Sequence, residues 1–201
     1  MQRHGGFTLM RIQARVLAFL AALAVTTGLL SSAHAAPIGI TSESAVSINF
    51  GYQYIPTGVF SVGASYETPF QIVAFIDTSI TARAGFSFAG AFDAGATLKA
   101  VVFPSLYGGL LAAGAWVDIS GYNLASNLAV VKASLGPMLN VNLEPLYLTF
   151  SFSFLAITNG IFGFDLGIAA RYYIDTLALD LSVDYNTVGW ARANFGLRFT
   201  L

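Results

Sequence analysis

Ten charged residues are set into apolar, alternating stretches of this sequence: Arg83, Asp93, Lys99, Lys132, Asp165, Arg171, Asp180, Asp184, Arg192 and Arg198. Asp180 and Asp184 come nearest to a catalytic carboxylate pair, because positions four apart share one face of a strand. Along an extended chain they stand about 13 Å apart, beyond the ~5–9.5 Å that glycoside hydrolysis uses. The chain has no cysteine, and its two histidines, His4 and His34, both lie near the N-terminus. Downstream of them no Ser-His or Cys-His arrangement can be built, and no imidazole or thiolate metal site. The expectation is therefore no enzymatic activity, no metal and no cofactor. What remains to these charges is pairing across strands or ringing a water-filled path.

The elements that hold them follow a period of two. Of 201 residues, 56% are apolar and 9% are charged, against about a quarter charged in an ordinary soluble domain. Beyond the first 30 residues no apolar run approaches the ~20 needed for a membrane helix. Alternation spreads the apolar residues instead. Val46, Ile48, Phe50, Tyr52 and Tyr54 share one face, as do Leu146, Leu148, Phe150, Phe152 and Phe154, and Leu177, Leu179, Leu181, Val183 and Tyr185. Turn signals at Pro56-Thr57-Gly58, Thr68-Pro69, Gly90, Pro104-Ser105, Ser120 to Asn123, Glu144-Pro145, Asn159-Gly160, Asp175-Thr176 and Asn186 to Val188 divide these runs. The pattern predicts ten strands: 44–54, 59–67, 70–88, 91–103, 107–118, 125–143, 146–157, 161–173, 177–185 and 189–201. The two long segments leave eight or twelve as alternatives. The longest connection on either side is expected near 118–125.

The N-terminal segment reads as an address. Arg11 and Arg15 precede an apolar stretch from Val16 to about Leu30, and Ala33-His34-Ala35 forms a small-residue cleavage site. Residues 1–35 are expected to be a signal peptide and 36–201 the folded domain. The mature chain then keeps six basic and ten acidic residues and no histidine. No basic patch remains to suggest nucleic acid.

Alternation fits a soluble sandwich or a membrane barrel, and the faces decide between them. The second face is mostly Gly, Ser, Ala and Thr, which suits the concave interior of a narrow barrel. Tyr52, Tyr54, Tyr66, Phe70, Tyr107, Trp116, Tyr147, Tyr172, Tyr173 and Tyr185 gather near strand ends, where amphipathic rings settle among lipid headgroups. With the apolar set facing lipid, the ten charges fall inside. A two-residue loop at Asp175-Thr176 places Arg171 opposite Asp180. A three-residue loop at 186–188 places Arg192 opposite Ser182, diagonal to Asp180 and Asp184. Those four charges are expected to form one network, which offsets the cost of isolated buried charge.

The chain ends on "NFGLRFTL". With Asn194, Gly196, Phe199 and Leu201 at the signal positions, this segment resembles the terminal strand of bacterial outer-membrane β-barrel proteins, though most of those end in Phe. The resemblance covers the whole mature chain and is to the small, porin-like class. It implies a closed antiparallel transmembrane β-barrel in the outer membrane, with both termini in the periplasm. It also implies lipid around the barrel and recognition of the last strand by the barrel-assembly machinery. A second copy or a larger envelope complex is a further expected partner. Function is expected to be a small pore for ions or solutes. The alternative is a self-plugged structural barrel. Short connections argue against a loop-borne binding function.

Overall fold

A computed structural model describes residues 43–55, 58–73, 76–88, 90–123, 129–158 and 160–201. The expected signal peptide lies outside these residues. Ten antiparallel strands form a closed barrel: β1 (Ala45–Ile55), β2 (Val59–Val73), β3 (Ile76–Ser87), β4 (Phe92–Leu106), β5 (Leu111–Asn123), β6 (Ala129–Leu143), β7 (Leu146–Ile157), β8 (Ile161–Ile174), β9 (Leu177–Asn186) and β10 (Trp190–Thr200). Each strand pairs with its sequence neighbours, and β1 closes on β10 from Ala45 opposite Thr200 to Ile55 opposite Ala191. Closure leaves no sheet edge, which lipid could not hydrogen-bond. It also ties down the end of β10, where the Leu201 amide donates to the Ser44 carbonyl.

The apolar face points outward. Phe150 is 41% exposed, Phe164 40% and Leu181 55%, so the residues that would form the core of a sandwich form the outer surface. Their alternate neighbours Ser151, Ser153, Ser182 and Asp180 are buried. With apolar side chains out and polar ones in, the hydrocarbon of a bilayer takes the place of a core. Rings of Tyr66, Phe70, Phe103 and Tyr172 stand exposed towards the end that carries the termini, and Tyr54, Phe60, Phe88 and Phe162 towards the opposite end.

Four sequence-based expectations need correction. Thr68-Pro69 is no turn: both lie in β2, with Pro69 opposite Ser79. Pairing of β2 with β1 stops at Glu67, so proline occupies an overhang where the missing N–H costs no ladder bond on that side. The expected single segment 70–88 is accordingly split between β2 and β3. Pro104-Ser105 also lies within a strand, β4, beyond register shifts that begin at Val101. The chain reverses over Tyr107–Leu110, where Gly108 and Gly109 adopt positive φ. Ser120 to Asn123 belong to β5 and pair on both sides, which moves that connection from 118–125 to 124–128, outside the described residues. Finally, Trp116 does not join the aromatic girdles. It faces inward and is 6% exposed, packed with Val101, Ala112 and Met138.

At two glycines the neighbouring backbone comes too close for any side chain. A Cβ on Gly136 would lie 1.9 Å from the Phe152 carbonyl oxygen, and one on Gly114 would lie 2.1 Å from that of Ala100. Gly136 sits opposite Trp116, and Gly114 opposite Met138. Trp116 thus lies beside a position with no side chain of its own.

Candidate functional site

The inward charges sort into groups along the barrel. Near the termini, Glu67 of β2 accepts from Lys99 of β4, from Arg198 of β10 at 2.6 Å and from the Ser79 hydroxyl at 2.9 Å. One carboxylate thereby joins strands on both sides of β2 through the interior. Arg171 of β8 donates to Asp180 of β9 through Nε at 2.7 Å and Nη2 at 2.8 Å, a bidentate pair of the stronger kind. Arg171 also lies 5.9 Å from the ring of Tyr173, which meets Tyr147 edge to face. The side chains of Glu67, Lys99, Arg171 and Arg198 are only 3–4% exposed.

Further along, Arg83 of β3 makes a second bidentate pair with Asp118 of β5, at 2.6 and 2.9 Å. Thr97 lies between them, accepting from Arg83 at 2.6 Å and donating to Asp118 at 2.7 Å. Gly95 makes room here, since a Cβ would lie 2.7 Å from an Arg83 nitrogen. Towards the opposite end, Lys132 pairs with Asp165 at 2.7 Å, and the Ser134 hydroxyl donates to the same carboxylate. Asn194 donates to Asp184 and Ser182, and Arg192 to Gln53. Asp93 is buried near the start of β4.

Every charge placed inside by sequence is inside, but the grouping differs. Arg171 lies opposite Asp180. Arg192, however, lies opposite Asp184 and not Ser182. The loop keeps its three residues but runs over 187–189, with Gly189 at φ 95°. A positive φ at the last loop position is what a three-residue hairpin requires, and glycine supplies it. The four residues expected to form one network are therefore divided. Arg171 and Asp180 join the tier near the termini, while Asp184 and Arg192 serve the other mouth.

Sequence reasoning missed Glu67, Asp118 and Trp116. Glu67 shares its face with Ser61, Gly63 and Ser65, but a supposed turn at Thr68-Pro69 set it at a strand end. Asp118 and Trp116 share a face with Gly114 and Ser120, and were displaced in the same way by a supposed turn at Ser120. Of the terminal-strand positions, Asn194 and Gly196 are buried and Leu201 is exposed.

No family profile and no curated protein matches this sequence. Solved structures match its fold. The KdgM porin in complex with disordered oligogalacturonate aligns with a TM-score of 0.50 and 5% identity, over 78% of this chain and 99% of that one. The NanC porin aligns at 0.46 and 9%, over 78% and 100%. The outer membrane protein Omp33 of Acinetobacter baumannii aligns at 0.40 and 11%, over 80% and 98%. The KdgM likeness identifies the fold as that of a small, porin-like outer-membrane β-barrel.

Proposed function

We propose that this protein is a small outer-membrane channel for ions or small solutes, closed at rest by the ion-pair tier near its termini. One observation carries the reading: a closed barrel whose inward face is largely polar, interrupted by the apolar cluster around Trp116 and narrowed by charges at Glu67, Lys99, Arg171 and Arg198. The indole N–H of Trp116 and the hydroxyl of Ser153 are buried facing the lumen with no partner among the described residues. Such groups are ordinarily satisfied by ordered water. The porin likeness supports the same reading at the level of fold. The role is transport and not catalysis, in keeping with a mature chain that lacks histidine and cysteine. Export through the signal at residues 1–35, and reading of Asn194, Gly196, Phe199 and Leu201 by the assembly machinery, belong to the same proposal.

The second reading is a structural barrel plugged by its own side chains. It is favoured by the near-complete burial of Glu67, Lys99 and Arg198. Planar-bilayer recording of the purified, folded barrel separates the two. Stepwise current is the expected result, and a silent bilayer at high protein load would leave only the plug.

A further inference from the structure

We propose that a groove on the outer wall seats one acyl chain of a bilayer phospholipid, with the polar end of that lipid at Tyr185. The groove lies on the lipid-facing surface, so nothing in it depends on the channel.

Strand register builds the groove. From β5 to β9, Ala113, Leu139, Phe150, Ile168 and Val183 lie opposite one another in a single outward row. Two residues along the strands, Pro137, Phe152, Leu166 and Tyr185 make the next outward row. Between the two rows run Gly114, Met138, Ser151 and Gly167. These belong to the inward face, with Met138 and Ser151 buried, so the floor between the ridges is mostly backbone. The cavity left on the outside has a volume of about 700 Å³, in the range of ligand sites. Strand spacing makes it about 19 Å long, and residue spacing sets its ridges about 7 Å apart. The gap beyond the second ridge is closed instead. There the rings of Phe152, Phe154 and Phe164 meet, with centroids 5.2 to 5.9 Å apart.

The course of the groove selects its occupant. The stagger of a closed barrel carries such a row obliquely across the wall. Ala113 stands near the start of β5, at the end of the barrel that holds the termini, and Tyr185 near the finish of β9, at the opposite mouth. The groove therefore descends from one headgroup level into the hydrocarbon, which is the path of a lipid chain. Tyr185 supplies the one outward-facing hydroxyl of the lining and is 48% exposed. An aromatic ring with a polar tip suits that level, and its hydroxyl can donate to an ester or phosphate oxygen. The outward neighbours Leu166, Val183 and Ala191 carry no charge. A head with several phosphates would find no cation among them, whereas an ordinary phospholipid needs none. A second barrel would rest its convex wall on the ridges and leave the floor without contacts, which forfeits packing energy.

The chain has no cysteine, so a cysteine introduced on the folded barrel can be labelled there alone. The barrel is folded in detergent, mixed with phosphatidylcholine and read by native mass spectrometry. One lipid per barrel should survive activation that strips the detergent. A bulky maleimide on Ile168→Cys, which fills the groove, should abolish that retention. The same label on Val117→Cys, outside the groove, should leave it unchanged. Should Ile168→Cys fail to fold, Val183→Cys takes its place. Tyr185→Phe should lower retention roughly 3- to 10-fold, as expected for one hydrogen bond. Absence of retained lipid, or equal loss from both labels, would overturn the site. So would paired barrels that persist without lipid and separate when Ile168→Cys is labelled, since a second copy would then be the occupant.

Discussion

At the scale of the residue, the lumen is organised by single carboxylates that each answer more than one donor. Asp118 holds a guanidinium and a hydroxyl, and Glu67 holds an ammonium, a guanidinium and a hydroxyl. Breaking such a buried pair from one side strands the other charge, which costs about 3–5 kcal/mol, whereas replacing both partners by apolar groups is far milder. Arg171→Met and Asp180→Leu should each lower the urea midpoint of the vesicle-folded barrel. The double substitution should recover most of that loss. If the double variant loses as much as the two single ones summed, the pair contributes nothing to folding beyond its separate side chains.

At the scale of the element, the strands depend on where glycine and proline fall. Proline reads as punctuation at Pro69 and Pro104, yet both lie inside strands, and so does Pro137, which falls within the expected strand 125–143. Pro69 occupies an overhang, and Gly136-Pro137 interrupts the pairing of β6 with β7 without changing its register. At Gly136 a methyl group would collide with the backbone of β7. Gly136→Ala should therefore destabilise the barrel by at least the ~1–3 kcal/mol typical of overpacking. Gly121→Ala, with open space around the added carbon, should stay within ~0.5 kcal/mol. Equal unfolding midpoints for the two variants would remove the claim that the β7 backbone requires glycine at position 136.

At the scale of the whole molecule, orientation is the governing fact. The same alternation could serve a soluble sandwich, and the two proteins respond oppositely to a charge on the apolar face. Ile168 is 56% exposed on the outer surface. In a bilayer, Ile168→Arg should cost about 2–4 kcal/mol of folding stability, because arginine near mid-depth is penalised. Folding titrations in vesicles measure this directly. A neutral effect there would mean that this surface does not face lipid. The channel reading falls with that result, since a pore across a bilayer needs this surface in lipid.

The sequence alone determined the alternation, and with it which residues share a face, because side-chain parity along a strand is a local property. It also determined the Arg171–Asp180 pairing, since a two-residue loop leaves little freedom of register. Turn positions were only partly legible. Proline and Ser-Gly signals describe a preference of the backbone, which the overhang of β2 and the bulged end of β4 overrode. The grouping of charges was not legible at all. Glu67 meets Lys99 and Arg198 because a closed, staggered sheet brings non-adjacent strands together across its axis. Those residues lie 32 and 131 positions from Glu67, and only the closure of β1 on β10 places all three at one level.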